Sequence, residues 1–276
     1  MWLHDAAGDR ALTGEGTVWQ PWISNDGKRL YFLSGSNLPN ATPVLSRMDI
    51  SSGARENLLS GLPMDSYELS ADERWLVYTT GARAAREIWV APVDHHAAPR
   101  RLAQAADEIA LDAAGHIYYR QLGEQVNTLH RMNLDGSADQ RLLAGPIVEF
   151  HAVSPDGKWV AVDLASGGDL PGVYLAPTNG AAPQQIFAGW RSSHWARDGK
   201  SLLVEVGEDP NSERQGRTIV LPLGADGLPL KGGAGAAAES GSFPHAEQLL
   251  SVSADPAVYA YVKEVSERNI FRIPVL

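Results

Sequence analysis

Three histidines stand where a repeat would bring them around one axis. His151 and His194 precede Asp-Gly turns at Asp156 and Asp198 by five and four residues, and His245 lies upstream of a further turn at Asp255. Imidazoles converging on one point would hold a divalent metal. The unequal offsets argue against it, because strand alternation sends His151 and His194 to opposite faces. No metal, no cofactor and no catalytic residue is expected. The second chemical set is aromatic. Trp19, Trp22, Trp190 and Trp195 fall just before or on the segments that lead into such turns, and Tyr67 and His194 join them. Trp and Tyr are favoured at binding hot spots, so Trp19, Trp22, Tyr67, His151, Trp190, His194, Trp195 and His245 form the candidate binding set. Trp75, Trp89 and Trp159 read as packing residues, and the His95-His96 pair as a solvated turn.

Other chemistries lack their residues. The 276-residue chain has no Cys, which removes thiolate metal sites, disulfides and a cysteine nucleophile. It has no G-x-S-x-G elbow, and GGAGAAAESG lacks the Lys-Ser/Thr ending of a phosphate loop. With 23 Lys and Arg against 33 Asp and Glu, the net charge of −10 repels phosphate backbones, so nucleic acid is not expected as a ligand. No run approaches the ~20 apolar residues that cross a bilayer. The start, MWLHDAAGDRALTGEG, has neither a basic nor an apolar leader region. These features predict a soluble, monomeric chain without membrane insertion. Its location is cytoplasmic by default, or periplasmic were the N-terminus truncated.

What positions the candidate residues is a repeat. An apolar segment, an Asp- or Gly-bearing turn and a second apolar segment recur as WISNDGKRLYFLS, LSADERWLVYTT, LDAAGHIYYRQ, VSPDGKWVAVDL, WARDGKSLLVEV and VSADPAVYAYVKEV. Anchored at Asp26, Asp72, Ala114, Asp156, Asp198 and Asp255, the copies are spaced 46, 42, 42, 42 and 57 residues apart. In Ser154-Pro155-Asp156-Gly157, Pro presets φ, Asp bonds the backbone ahead and Gly takes the left-handed conformation that closes a hairpin. A third strand follows each hairpin, as in EIWVAPVD, and after most comes a short fourth, as in PRRLAQ. Four antiparallel strands per ~40–45 residues define a β-propeller blade, and no copy carries a helical period. The 27 Gly and 17 Pro supply the many turns.

SPDG followed by KWVAV, the variants NDGKRLYF and RDGKSLLV, and third strands such as EIWVAPVD resemble the WD40-like (PD40) repeat of the TolB propeller family. The resemblance spans essentially the whole chain, residues 1–276. It implies a single all-β, six-bladed propeller of four-stranded antiparallel blades. There is no room for the separate N-terminal domain of TolB. Ala113-Ala114-Gly115 and Asp255-Pro256 depart from the pattern, so those two hairpins are expected to differ. The ring is expected to close by an N-terminal strand in the last blade, with Arg10–Gly14 paired to Ile270–Val275 outside Asn269–Leu276. That leaves Met1–Asp5 redundant, either as a frayed arm or as the remnant of a longer chain. Gly207–Gly216 and Gly224–Gln248 read as insertions.

The function that follows is a non-catalytic module binding an unidentified protein or peptide. Two alternatives stand beside it. One is a lyase or hydrolase acting on a saccharide or small molecule in the channel, since some TolB-like propellers resemble oligogalacturonate lyases with a His- and Gln-held metal. The other is the C-terminal sensory domain of a longer signalling or transcriptional regulator.

Overall fold

The computed structural model describes residues 1–14, 17–35, 42–82, 85–165, 172–187, 192–206, 217–230, 242–243, 248–253, 255 and 257–262. Among these there is no α-helix. The strands begin with β1 (Trp2–Asp5) and β2 (Gly8–Ala11). Blade 1 holds β3 (Thr17–Ile23), β4 (Arg29–Gly35), β5 (Val44–Asp49) and β6 (Arg55–Leu58). Blade 2 holds β7 (Ser66–Leu69), β8 (Trp75–Thr80), β9 (Glu87–Pro92) and β10 (Arg100–Gln104). Blade 3 holds β11 (Ala106–Leu111), β12 (Ile117–Gln121), β13 (Thr128–Met132) and β14 (Gln140–Leu143). Blade 4 holds β15 (Ile147–Val153), β16 (Trp159–Leu164), β17 (Val173–Pro177) and β18 (Gln184–Gln185). Blade 5 holds β19 (Ser192–Trp195), β20 (Ser201–Val206), β21 (Arg217–Pro222) and β22 (Ser242–Phe243). The last blade combines β23 (Gln248–Val252) and β24 (Tyr259–Val262) with β1 and β2. Every sheet is a four-stranded antiparallel meander, and the six make a propeller ring.

The N-terminus does close the ring, but by two strands. β1 pairs directly with β24, Trp2 opposite Tyr261 and His4 opposite Tyr259, and β2 pairs with β1 at the outer edge. The expectation that Met1–Asp5 is redundant is therefore corrected. Leu3 is 1% exposed and packs with Ile23, Leu30, Phe32 and Ala260, an apolar burial that an arm in solvent would forgo. The strand expected in that place, Asn269–Leu276, with its Ile270–Val275 pairing, lies outside the described residues. So do Gly207–Gly216 and most of the Gly/Ala tract.

The recurring turn is built from side chains. Ser24 Oγ donates to Asp26 Oδ1 at 2.5 Å, the Lys28 amide donates to the same oxygen at 3.1 Å, and the Arg29 amide donates to Ser24 Oγ at 2.9 Å. Ser70/Asp72 and Ser154/Asp156 repeat this arrangement. Blade 3 lacks the Ser and Asp of the pattern, yet its turn is held in the same way. Asp112 stands in the serine position, accepting from the His116 amide at 2.9 Å, while the Gly115 amide donates to the Asp112 carbonyl at 3.0 Å. In blade 2, Glu73 occupies the glycine position at φ 58°. Its carboxylate compensates by clamping Arg29 of blade 1 at 2.7 and 2.9 Å and accepting from Tyr31 Oη at 2.7 Å.

The core is divided among the blade interfaces. Trp22, Tyr31 and Leu45 meet Tyr67, Leu76 and Ala91 between blades 1 and 2. Tyr118 and Leu129 meet Phe150, Val160 and Val162 between blades 3 and 4. Ala161, Val173 and Leu175 meet Trp195, Leu202 and Val204 between blades 4 and 5. Alternation along each strand feeds both neighbouring interfaces, which is why strands buried on both faces read as continuous apolar runs.

Candidate functional site

The first strands of all six blades face a cavity of about 300 Å³ at the end of the channel where the hairpin turns gather. The repeat explains its lining. The residue four places before each turn anchor lines it in every blade: Trp22, Glu68, Ala110, Ala152, His194 and Ser251. One place before the anchor stand Asn25, Ala71, Ala113, Pro155 and Arg197, which form the rim. A mostly small ring is thus interrupted by one acid, one imidazole, one indole and one guanidinium.

Arg197 is the most constrained of these. Its Nε donates to the Val252 carbonyl at 3.0 Å and Nη1 donates to Asn25 Oδ1 at 3.1 Å. The guanidinium lies 4.0 Å from the centroid of the Trp22 ring. Two hydrogen bonds and a cation–π contact, from blades 6 and 1, fix a side chain carried by blade 5. Among the described residues Nη2 makes no hydrogen bond, and it is the nitrogen left for a ligand. Burial lowers the guanidinium to about 10, with Glu68 opposing that shift, so it stays charged at neutral pH. Burial pushes the Glu68 carboxyl up to about 7 against the pull of Arg197. His194 is driven down to about 4 by burial and then by Arg197, so its ring is neutral at neutral pH, and its buried Nε2 has no partner.

The other residues of the binding set divide. Trp22 and Trp195 line the cavity, each 8% exposed. Tyr67 is buried between blades 1 and 2, its hydroxyl donating to the Gln20 carbonyl at 2.8 Å. Trp19 packs on the edge of that same cluster. Trp190 and His245 lie outside the described residues. His151 also lines the cavity, but its Nε2 turns to Asp163 Oδ1 at 3.1 Å. Simple alternation would send His151 and His194 to opposite faces, and this is corrected. The register shift between Phe150 and Ala152 turns His151 to the side of Asp163, toward blade 5. His194, opposite Leu203, faces blade 6, so each ring points to the following blade.

Glu149, His151 and Asp163 bring one ligand atom each to within 4.8 Å of one another, a grouping that leaves out His194. Sequence reading found His151 but missed Glu149, Asp163, Glu68 and Arg197. For Arg197 a signal was present: it is the one cation at a turn position otherwise filled by one Asn, one Pro and three Ala. For Asp163 there was none beyond a charge in an apolar strand.

A six-bladed, all-β ring with a narrow, polar-tipped channel mouth is the class that fold and cavity define. The fold is TolB-like. TolB from Acinetobacter baumannii superposes with a TM-score of 0.65 at 16% identity over 83% of this chain and 59% of its own. The structure described as TolB from Agrobacterium tumefaciens gives 0.63 at 17% identity, over 82% and 84%. An oligogalacturonate lyase in complex with manganese gives 0.63 at 14% identity, over 96% and 78%. No family model and no curated protein matches the chain. At these identities the likeness is one of fold.

Proposed function

We propose that the propeller is a non-catalytic binding module whose channel mouth takes a carboxylate-bearing segment of a partner protein or peptide. The observation that carries the reading is Arg197, held by Val252, Asn25 and Trp22 with Nη2 unspent among the described residues at the cavity rim. A pre-oriented guanidinium against an indole face suits a carboxylate, because little is lost in ordering it. Glu68 at about 7 is divided between acid and carboxylate at neutral pH, and it supplies the opposing polar wall. The cavity, about 300 Å³, admits a side chain or a chain end and not a domain. The lyase or hydrolase alternative gains no comparable support, since His194 is drawn away from protonation and His151 turns its Nε2 toward Asp163.

The test is fluorescence anisotropy with labelled hexapeptides that differ only in a free or an amidated C-terminal carboxylate, or in Glu against Gln side chains. The reading expects the carboxylate forms to bind at least tenfold more tightly, and Arg197→Gln to erase the difference. Equal binding of both forms, or an unchanged preference in Arg197→Gln, would overturn it.

A further inference from the structure

We propose that blade 4 carries a divalent transition-metal site formed by Glu149, His151 and Asp163, on the face turned to blade 5. Asp163 is completely buried, yet among the described residues neither of its carboxylate oxygens has a hydrogen-bond donor. His151 Nε2 approaches Oδ1 at 3.1 Å, but the alignment is not that of a hydrogen bond, and this nitrogen too is buried and unpartnered. Buried carboxylates are costly unless paired, so an anion left in this state calls for a cation between its oxygens and the imidazole.

The neighbouring blade shows what this position otherwise receives. In blade 3 the corresponding cross-strand pair is Asp107 opposite Arg120. The buried Asp107 there takes Arg120 Nε at 2.9 Å and Arg86 Nη1 at 3.3 Å. In blade 4 the cross-strand pair is Glu149 opposite Asp163, acid against acid. Among the described residues no Arg or Lys forms an ion pair with either; the Arg120 guanidinium of blade 3 is near enough to feel the Glu149 charge, but it is spent on Asp107 and Glu108. The fixed cation of blade 3 has been exchanged for a second carboxylate and an imidazole, which is the exchange a bound metal requires.

The geometry agrees. The register shifts on both sides of Glu149-Phe150 place Glu149 and His151 on the same side as Asp163, with their ligand atoms within 4.8 Å of one another. Glu149 is half-buried and Asp163 fully buried, so the site reaches toward solvent on one side and is anchored on the other. Two carboxylate oxygens and one imidazole nitrogen suit Zn²⁺ or Mn²⁺. The imidazole disfavours Mg²⁺ and Ca²⁺, and the absence of sulfur disfavours Cu⁺. Further positions remain for water.

The experiment is calorimetric titration of the full chain, dialysed against EDTA, with Zn²⁺, Mn²⁺ and Mg²⁺, alongside thermal melts. The proposal expects one Zn²⁺ or Mn²⁺ per chain, a raised Tm with either, and at least tenfold weaker binding of Mg²⁺. Asp163→Asn and His151→Gln should each weaken Zn²⁺ binding at least tenfold. Because a buried substitution can unfold the chain, Glu149→Gln at the half-buried, most accessible carboxylate is the companion variant, checked by circular dichroism and expected to weaken binding at least fivefold. His96→Gln, at the exposed turn where His96 meets Asp94, should leave the site unchanged. Zn²⁺ and Mn²⁺ binding that is absent, or that survives in Asp163→Asn and Glu149→Gln, would overturn the proposal.

Discussion

The guanidinium of Arg197, carried by blade 5, lies 4.0 Å from the centroid of Trp22 in blade 1 and donates to the Val252 carbonyl of blade 6. One side chain therefore ties three blades at the seam beside the blade that β1 and β2 complete. Arg197→Ala should lower the unfolding free energy by about 2–3 kcal/mol, combining the two hydrogen bonds with the cation–π contact. Arg197→Lys should recover less than half, since an ammonium cannot reach Val252 and Asn25 while lying flat on the indole. Urea denaturation of the three proteins reads both differences.

Glu68 makes stability fall as pH rises. Its folded value, about 7, is above the ordinary 4.5, so between these two the native state holds a proton that the unfolded chain has lost. The contribution is intact below 4.5 and gone above about 7, and it amounts to roughly 1–3 kcal/mol. Glu68→Gln should match the wild type at pH 4.5 and exceed it in Tm at pH 8. Equal Tm differences at both pH values would contradict this.

His194 acts in the opposite sense. Its folded value, about 4, is below the ordinary 6.5, so stability present above pH 6.5 drains away as pH falls toward 4. Between 4.5 and 6.5 the two slopes oppose each other. His194→Gln should therefore show a Tm that drops steadily as pH rises through that window, whereas Glu68→Gln should show one that climbs. The wild type should lie flatter than both.

Two turn glycines separate conformational strain from steric clash. Gly157 and Gly199 share φ near +69°, so alanine suffers the same backbone penalty at each, of order 1 kcal/mol. A methyl group at Gly199 meets only Pro155 at 3.8 Å, but at Gly157 it meets Asp112 Oδ2 at 2.7 Å and Tyr118 Oη at 3.0 Å. Gly157→Ala should cost about 1–2 kcal/mol more than Gly199→Ala by chemical denaturation, reflecting the overpacked contact.

The blades were legible because a turn needs particular residues locally. Ser154, Asp156 and Gly157 bond to one another over a few positions, and their spacing survives in the sequence. Asp112 was harder, since a carboxylate oxygen does the work of a hydroxyl without the pattern showing it. The closing blade was misread at Met1–Asp5 because pairing Trp2 with Tyr261 leaves no local trace. The channel was half legible. Trp22, His194 and Trp195 were picked by residue type, but Glu68 and Arg197 acquire their character from burial and from the blades opposite. The face that His151 presents was hidden by a one-residue bulge, which periodicity cannot register.

The last blade has a consequence for how the polypeptide is made. During synthesis β1 and β2 leave the ribosome long before β24, the strand that β1 pairs with and the last described strand in chain order. Until then the two form a hairpin with both edges free, too small to be stable alone. Once β24 emerges, its own bare edge is a template for any extended strand nearby. In a crowded cell the first eleven residues of a neighbouring copy would fit that edge as well as the chain's own. Rings closed in trans, exchanged strand for strand between two molecules, are the assembly error this design invites.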